Sequence, residues 1–241
     1  MRTSETMVST ADGEMLLYEA APDGDRHGAI VVIQEAFGVN AHIQDVTRRA
    51  AAAGYYAVAP DLFHRSGPGS VVEYGDFSQV MEFFKDLGGD DAILRDVDAT
   101  LAHLGGEGFA DAKRIGIVGF CFGGRTTFLA AIRRPLGASV GFYGGGIVTG
   151  RFPQFPPLVD ESASLQSPWL GLFGDADQSI PAEDVERLRA TLDEQTTVAH
   201  EIVRYPGAEH GFHCDMRPDY RPDEAADAWT RAMTWFDRHL T

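Results

Sequence analysis

The sequence is poor in basic residues, in cysteine and in long apolar runs, and each shortage excludes a class of protein. Twenty lysines and arginines stand against 36 aspartates and glutamates, and the net charge of −16 disfavours an electrostatic nucleic-acid-binding surface. Two cysteines in 241 residues do not make a disulfide scaffold. No run of about 18 apolar residues is present, and residues 1–6 lack the apolar segment of a signal peptide. We therefore expect a cytoplasmic protein with no nucleic-acid or membrane partner.

The length and the order of the segments predict the fold class. The chain of 241 residues can bury a sizeable core and has no linker, so we predict a single domain over residues 1–241. Apolar strand-like segments alternate with segments whose apolar residues recur every three or four positions. This alternation predicts an α/β fold with helices on both faces of a mostly parallel sheet. The Asp12-Gly13 turn within residues 7–20 predicts a hairpin that forms an antiparallel edge at the N-terminus.

The stretch that carries most chemical information is residues 113–124. Residues 115–118 are apolar or glycine and follow two charged residues, as expected of a buried parallel strand, which then runs into Gly119 and Gly123 on either side of Cys121. This is the pattern of a nucleophile elbow, a sharp turn from a strand into a helix, with cysteine in place of the commoner serine. An isolated cysteine is more often a small buried hydrophobe, but the glycines favour a nucleophile here. The backbone N–H of Phe122 would then face a developing oxyanion.

Three predicted strands each lead into a candidate functional residue, and they cover residues 29–33, 168–173 and 198–205. Glu35 follows the first strand, Asp177 the second and His210 the third, at the edge where parallel sheets bind ligands. A single loop carboxylate or histidine is more often merely solvated, and Asp175 competes with Asp177 for the role of acid. The order of Cys121, Asp177 and His210 is nevertheless that of the nucleophile, acid and histidine of an α/β-hydrolase triad.

Four segments in this order resemble those of the dienelactone hydrolase (carboxymethylenebutenolidase) family. They span most of the chain and are residues 34–38, residues 119–124, residues 174–177 followed by Ile180-Pro181, and residues 209–212. The resemblance implies an α/β-hydrolase fold and hydrolysis of a lactone or another activated ester through an acyl-cysteine. It implies that Cys121 is the nucleophile, His210 the base and then the acid, and Asp177 the residue that orients His210. It further implies that Glu35 holds the resting thiol neutral.

The same resemblance extends to the substrate and to the binding partners. It implies an oxyanion hole formed by the backbone N–H groups of Phe122 and Ala36, and we expect Phe37 and Tyr143 to contact the substrate. From their prolines and lack of periodicity, residues 147–167 are expected to cover the pocket. We expect a small-molecule ester or lactone as the substrate, no cofactor, and a monomer or a homodimer.

The sequence departs from the family where the substrate carboxylate is bound. The family binds it with arginines, one of which lies four residues after the catalytic histidine, where Cys214 stands here. The other lies before the helices around Phe83, where this sequence has no clear arginine. Arg65, Lys85 and Arg217 are candidates to replace them. A metal site that joins His213 and Cys214 to His210 is disfavoured because no second group of ligands is present, so we predict no metal.

Two other functions stay open on the sequence alone. The fold could be retained for ligand binding without turnover, or the enzyme could cleave a thioester, a peptide-like bond or a carbon–halogen bond. A haloacid substrate usually requires a carboxylate nucleophile, which the elbow lacks. His64 has no motif around it, and we expect it to be exposed in a surface loop over residues 61–70.

Overall fold

An eight-stranded sheet runs through the part of the chain that the structure, a computed structural model, describes, namely residues 1–150 and 152–240. In spatial order the strands are β1, β2, β4, β3, β5, β6, β7 and β8. Their bounds are β1 (Arg2–Thr10), β2 (Gly13–Ala21), β3 (Ala29–Ile33), β4 (Tyr56–Pro60), β5 (Ile115–Phe120), β6 (Ala138–Phe142), β7 (Trp169–Gly174) and β8 (His200–Tyr205).

The sheet is parallel except at its N-terminal edge. Strands β1 and β2 form a hairpin around the Asp12-Gly13 turn, and β2 also pairs antiparallel with β4. Every other neighbouring pair is parallel. The predicted mostly parallel sheet with an antiparallel edge is therefore confirmed.

Six α-helices connect or follow the strands of the described chain. They are α1 (Ala41–Ala52), α2 (Phe77–Asp86), α3 (Asp90–Gly106), α4 (Phe122–Arg133), α5 (Ala182–Gln195) and α6 (Pro222–His239). Local chemistry explains two of the starts: the Asn40 side chain accepts a hydrogen bond from the N–H of Ile43, and Pro222 occupies the first turn of α6. Within residues 1–150 and 152–240, none of the helices combines the length and the apolar character that a membrane span requires.

Apolar clusters cover both faces of the sheet. Because side chains alternate along a strand, Ile30 and Val32 of β3 belong to one cluster, whereas Val31 belongs to the other. Helices α1 and α6 contribute to the first cluster, and α2 contributes Val80 and Phe84 to the second. The predicted helices on both faces are thus confirmed, and the rigid sheet holds the loops at its carboxyl edge.

One loop expectation is wrong. His64 lies in a short 3₁₀ helix (His64–Ser66) and is 6% exposed rather than solvated. Its Nε2 lies 3.2 Å from Oδ1 of Asp96 on α3, and Arg65 donates to both oxygens of the same carboxylate. A buried carboxylate requires such partners, so these contacts bind the loop to α3.

Candidate active site

Cys121 occupies the sharp turn between β5 and α4. Its backbone has φ of 54° and ψ of −113°, and its N–H donates to the carbonyl oxygen of Phe142 at 3.0 Å. Only one other non-glycine residue of the described chain, Tyr143 at the end of β6, also has a positive φ. Strained backbone of this kind is concentrated at functional sites.

The two glycines of the elbow are required by close backbone contacts. A Cβ atom on Gly119 would lie 2.2 Å from the carbonyl oxygen of Gly123, and one on Gly123 would lie 2.4 Å from that of Ile33. Any side chain at either position would therefore displace the backbone of the turn. The glycines let α4 start directly above the sheet and place Cys121 at its N-terminus, where the helix dipole favours negative charge.

His210 and Asp177 come from the loops after β8 and β7, and they form a close pair. His210 Nδ1 donates to Asp177 Oδ2 at 2.6 Å, which leaves Nε2 free to exchange a proton. Asp177 is 4% exposed. Burial raises the pKa of its carboxyl, but hydrogen bonds from His210 and Ser179 outweigh this and lower the pKa below its ordinary value. The carboxylate thus stays charged and fixes the orientation of the imidazole.

Cys121 lies close enough to His210 to change how the ring titrates. Burial lowers the pKa of His210, but the Cys121 sulfur and the Asp177 carboxylate favour the charged ring and raise this pKa to about 10. The three residues predicted from separate strand ends therefore meet. A thiol beside a basic imidazole can pass its proton to the ring and become a nucleophile.

Ser179 is a contact of this pair that the sequence did not indicate. Its hydroxyl donates to Asp177 Oδ1 at 2.6 Å and lies 3.2 Å from His210 Nδ1. The N–H of Ser179 also donates to Asp177 Oδ1, at 2.8 Å. These bonds hold the oxygen that His210 does not use, so the carboxylate has one orientation. A serine in a turn is too common to have been singled out.

Glu35 is fully buried next to the same residues. Its Oε1 accepts a hydrogen bond from the Tyr143 hydroxyl at 3.2 Å and lies 4.0 Å from Nη1 of Arg217. Its Oε2 has no hydrogen-bond partner among the described residues. Glu35 therefore is not the solvated loop acid of the alternative interpretation. The hydrogen bond to the thiol that the family resemblance implies stays a prediction.

A cavity of about 300 Å³ opens beside the sulfur. Cys121 and His210 line it, together with Ala36 and Phe122, whose N–H groups were expected to form the oxyanion hole. Phe37 also lines the cavity, as expected of a substrate contact. The arrangement thus brings a candidate nucleophile, a candidate base and two candidate oxyanion donors to one space of the size of a small molecule.

The family assignment comes from a match over nearly the whole chain. A sequence model described as "Dienelactone hydrolase family" matches residues 15–240. The chain belongs to the dienelactone hydrolase family. The matched range contains Glu35, Cys121, Asp177 and His210, and the resemblance found in the sequence is confirmed.

Individual relatives of the dienelactone hydrolase family agree with this assignment. A protein of Methylorubrum extorquens named "Putative carboxymethylenebutenolidase" is 39% identical over 239 residues, which are 98% of this chain and 80% of that protein. The Yersinia pestis protein of the same name is 39% identical over 240 residues, 98% of this chain and 88% of that one. The crystal structure of a "Putative Dienelactone Hydrolase" from Klebsiella pneumoniae has a TM-score of 0.88 at 36% identity and covers 98% of both chains. The α/β-hydrolase fold is confirmed, and the chain is a dienelactone-hydrolase-like hydrolase.

Tyr143 is a further expected residue of the family site. It is fully buried and is not among the described residues that line the cavity. Its hydroxyl contacts Glu35, and its ring meets the His210 ring edge-on with centroids 5.1 Å apart. Tyr143 therefore contacts two of the catalytic candidates, and its contact with the substrate stays a prediction.

The structure separates the three candidates to replace the family's arginines by their position relative to the cavity. Of the three candidates, Arg217 lines the cavity. Arg65 is held by Asp96 and does not line it, nor does Lys85. Cys214, at the family's arginine position, is fully buried with its Sγ 3.2 Å from the Tyr74 hydroxyl.

Proposed function

We propose that the chain hydrolyses a small ester or lactone through an acyl-cysteine, with Cys121 as nucleophile, His210 as base and then acid, and Asp177 orienting the imidazole. One arrangement supports this most: the strained cysteine lies beside an imidazole whose other nitrogen contacts a buried carboxylate at 2.6 Å. Membership of the dienelactone hydrolase family supports the hydrolytic chemistry. The contacts among Cys121, His210 and Asp177 support the proposed roles, because a nucleophile of this kind needs an adjacent base and an acid that orients the base.

In the acylation step His210 takes the thiol proton, and the Cys121 sulfur attacks the carbonyl carbon. The carbonyl oxygen becomes an oxyanion, which the N–H groups of Phe122 and Ala36 stabilise. When this intermediate collapses the carbon–oxygen bond of the leaving group breaks, and the departing oxygen takes the proton from His210. In a lactone the released hydroxyl stays attached to the acyl group, so the acyl-enzyme carries the whole ring-opened substrate.

In the deacylation step His210 takes a proton from water, and the resulting hydroxide attacks the thioester carbon. The carbon–sulfur bond breaks, the sulfur takes the proton back from His210, and the product leaves as a carboxylic acid. Asp177 stabilises the imidazolium that forms in both steps, and its low pKa keeps it charged while it does so.

Glu35 is proposed to control the resting state of the thiol. A carboxylate near a thiol disfavours the thiolate by repulsion between like charges, which opposes the effect of the helix N-terminus. The burial of Glu35 supports this role, as does the lack of a hydrogen-bond partner for its Oε2 among the described residues, because this oxygen can still accept a hydrogen bond from the thiol. A resting thiol that stays protonated resists oxidation and alkylation.

The first test removes the nucleophile. We expect Cys121→Ala to lower kcat/KM for an activated ester such as phenyl acetate by a factor on the order of 10⁴ or more, as loss of a catalytic nucleophile does. The wild-type and variant proteins are compared by stopped-flow assay, with thermal unfolding to confirm that both are folded. Unchanged turnover in the variant would exclude the cysteine mechanism, and absence of turnover in the wild type would favour a ligand-binding function.

A second readout identifies the intermediate directly. Rapid acid quenching of the wild-type enzyme during turnover should trap an acyl adduct on the peptide that contains Cys121. Cys214 is the internal control, since it is fully buried and its burial raises its thiol pKa to about 11. An adduct found on Cys214, or on no cysteine, would contradict the proposed intermediate.

A further inference from the structure

Helix α2 turns one apolar face toward the cavity. The residues on that face are Phe77, Val80, Met81 and Phe84, spaced as one side of a helix, and all four line the cavity. Such a face is normally covered by the protein core. Here Phe77 is 64% exposed and Met81 is 42% exposed, although each large apolar side chain costs free energy in water. A ligand in the cavity would cover these two side chains.

Three phenylalanines from two other segments continue this wall. The Phe84 ring lies 5.0 Å from that of Phe122 and 5.5 Å from that of Phe152, and Phe122 lies 5.1 Å from Phe155, measured between centroids. The rings meet edge to face or tilted, so the cavity presents both ring faces and ring edges. Aromatic groups prefer such offset and edge-on contacts, and each pair gains more than its buried area alone would provide.

The two described arginines of the cavity wall are already paired with carboxylates. Both ends of the Arg125 guanidinium contact Asp90, at 2.6 and 3.0 Å, and one also donates to a backbone carbonyl. Arg217 donates to Asp219 at 3.2 Å and lies 4.0 Å from Glu35. A carboxylate on the substrate would have to compete with these acids for either guanidinium. A neutral group would leave the pairs intact.

We propose that this wall, formed by the α2 face and the three further phenylalanines, binds a neutral aromatic ring of the substrate. Preferred substrates are then aryl esters or ring-fused lactones of one or two rings, which suits a cavity of about 300 Å³. This inference rests on the proposed hydrolase function, since it concerns the group held beside the bond that Cys121 attacks. The ring supplies binding free energy that the small reacting carbonyl cannot supply.

The test compares two esters across exposed variants of α2. The substrates are 2-naphthyl acetate and vinyl acetate, which share an acyl group and differ in the ring. We expect Phe77→Ala and Met81→Ala each to lower the ratio of kcat/KM for these two esters by about tenfold, mainly through the KM of the naphthyl ester. Differences in intrinsic reactivity cancel because the ratio is compared between proteins. Both side chains are exposed, so neither variant removes core packing.

The matched control is Met7→Ala, on β1, because Met7 is 46% exposed and does not line the cavity. Met7→Ala should keep the wild-type ratio of kcat/KM for the two esters.

A charge comparison uses 4-acetoxybenzoate and its methyl ester, and the neutral methyl ester should be the better substrate. An unchanged ratio in both α2 variants, or faster cleavage of the anion, would overturn the ring proposal. Either result can occur while vinyl acetate turnover still depends on Cys121, so the proposed function is tested separately.

Discussion

At the scale of single residues, the order of Cys121, Asp177 and His210 could be predicted because each follows a strand that is recognisable in the sequence. The choice between Asp175 and Asp177 could not be made firmly, since both lie in one turn. In the structure Asp175 accepts a hydrogen bond from Arg204 at 2.6 Å, whereas Asp177 contacts His210. A turn sends neighbouring side chains in different directions, and this direction depends on backbone angles that the sequence pattern does not specify.

This difference predicts the effect of neutralising each aspartate. Asp177→Asn should lower kcat by a factor on the order of 10³ to 10⁴, because an amide supports the wrong tautomer of His210 and does not stabilise its charged form. Asp175→Asn is the matched control and should keep kcat within about twofold, since a partly exposed ion pair contributes little. Steady-state kinetics with phenyl acetate measure both. Equal losses, or a larger loss at Asp175, would show that the acid has been wrongly assigned.

At the scale of elements, the helix after the elbow could be predicted because the glycines around Cys121 mark a sharp turn from a strand into a helix, and α4 begins at Phe122. The surroundings of α2 could not be predicted in this way. Its apolar residues recur at helical spacing, and Val80 and Phe84 are buried, whereas Phe77 is largely exposed. Periodicity shows which residues share a side of a helix, and it does not show whether the core or a cavity covers that side.

The elbow itself gives a prediction about stability. Gly119→Ala should lower the free energy of unfolding by about 1–3 kcal/mol, since its new Cβ would meet a backbone oxygen that can move only if the turn moves. Gly105→Ala is the matched control, in α3, where a Cβ meets nothing within 4 Å. It should raise the free energy of unfolding by about 0.5–1 kcal/mol, because alanine favours a helix. Urea denaturation measures both, and a neutral Gly119→Ala would mean that the elbow is not tightly constrained.

At the scale of the whole molecule, the sheet type could be predicted from the alternation of segments, but the contacts between distant elements could not. His42 on α1 and His213 after β8 meet with ring centroids 5.8 Å apart, and His213 stacks on Phe120 at 5.1 Å. Both histidines are almost fully buried. Burial lowers the pKa of each ring, and for His213 the neighbouring His42 and Arg49 lower the pKa further. The fold therefore keeps this pair neutral.

The neutral pair predicts how stability depends on pH. In the unfolded chain these histidines take up protons below a pKa of about 6.5, whereas the folded protein keeps them neutral, so stability should decrease as the pH falls below about 6.5. Each histidine that stays neutral in the folded protein lowers the free energy of unfolding by up to about 1.4 kcal/mol for each pH unit below its pKa in the unfolded chain. His213→Phe preserves the aromatic packing and should lose less stability than the wild type between pH 7.5 and pH 5, as measured by urea denaturation.

The control is His27→Gln, at an exposed histidine outside the pair, and it should follow the wild type. Carboxylates contribute equally to all three proteins, so equal slopes in the wild type and His213→Phe would show that the buried histidines do not set the acid limit.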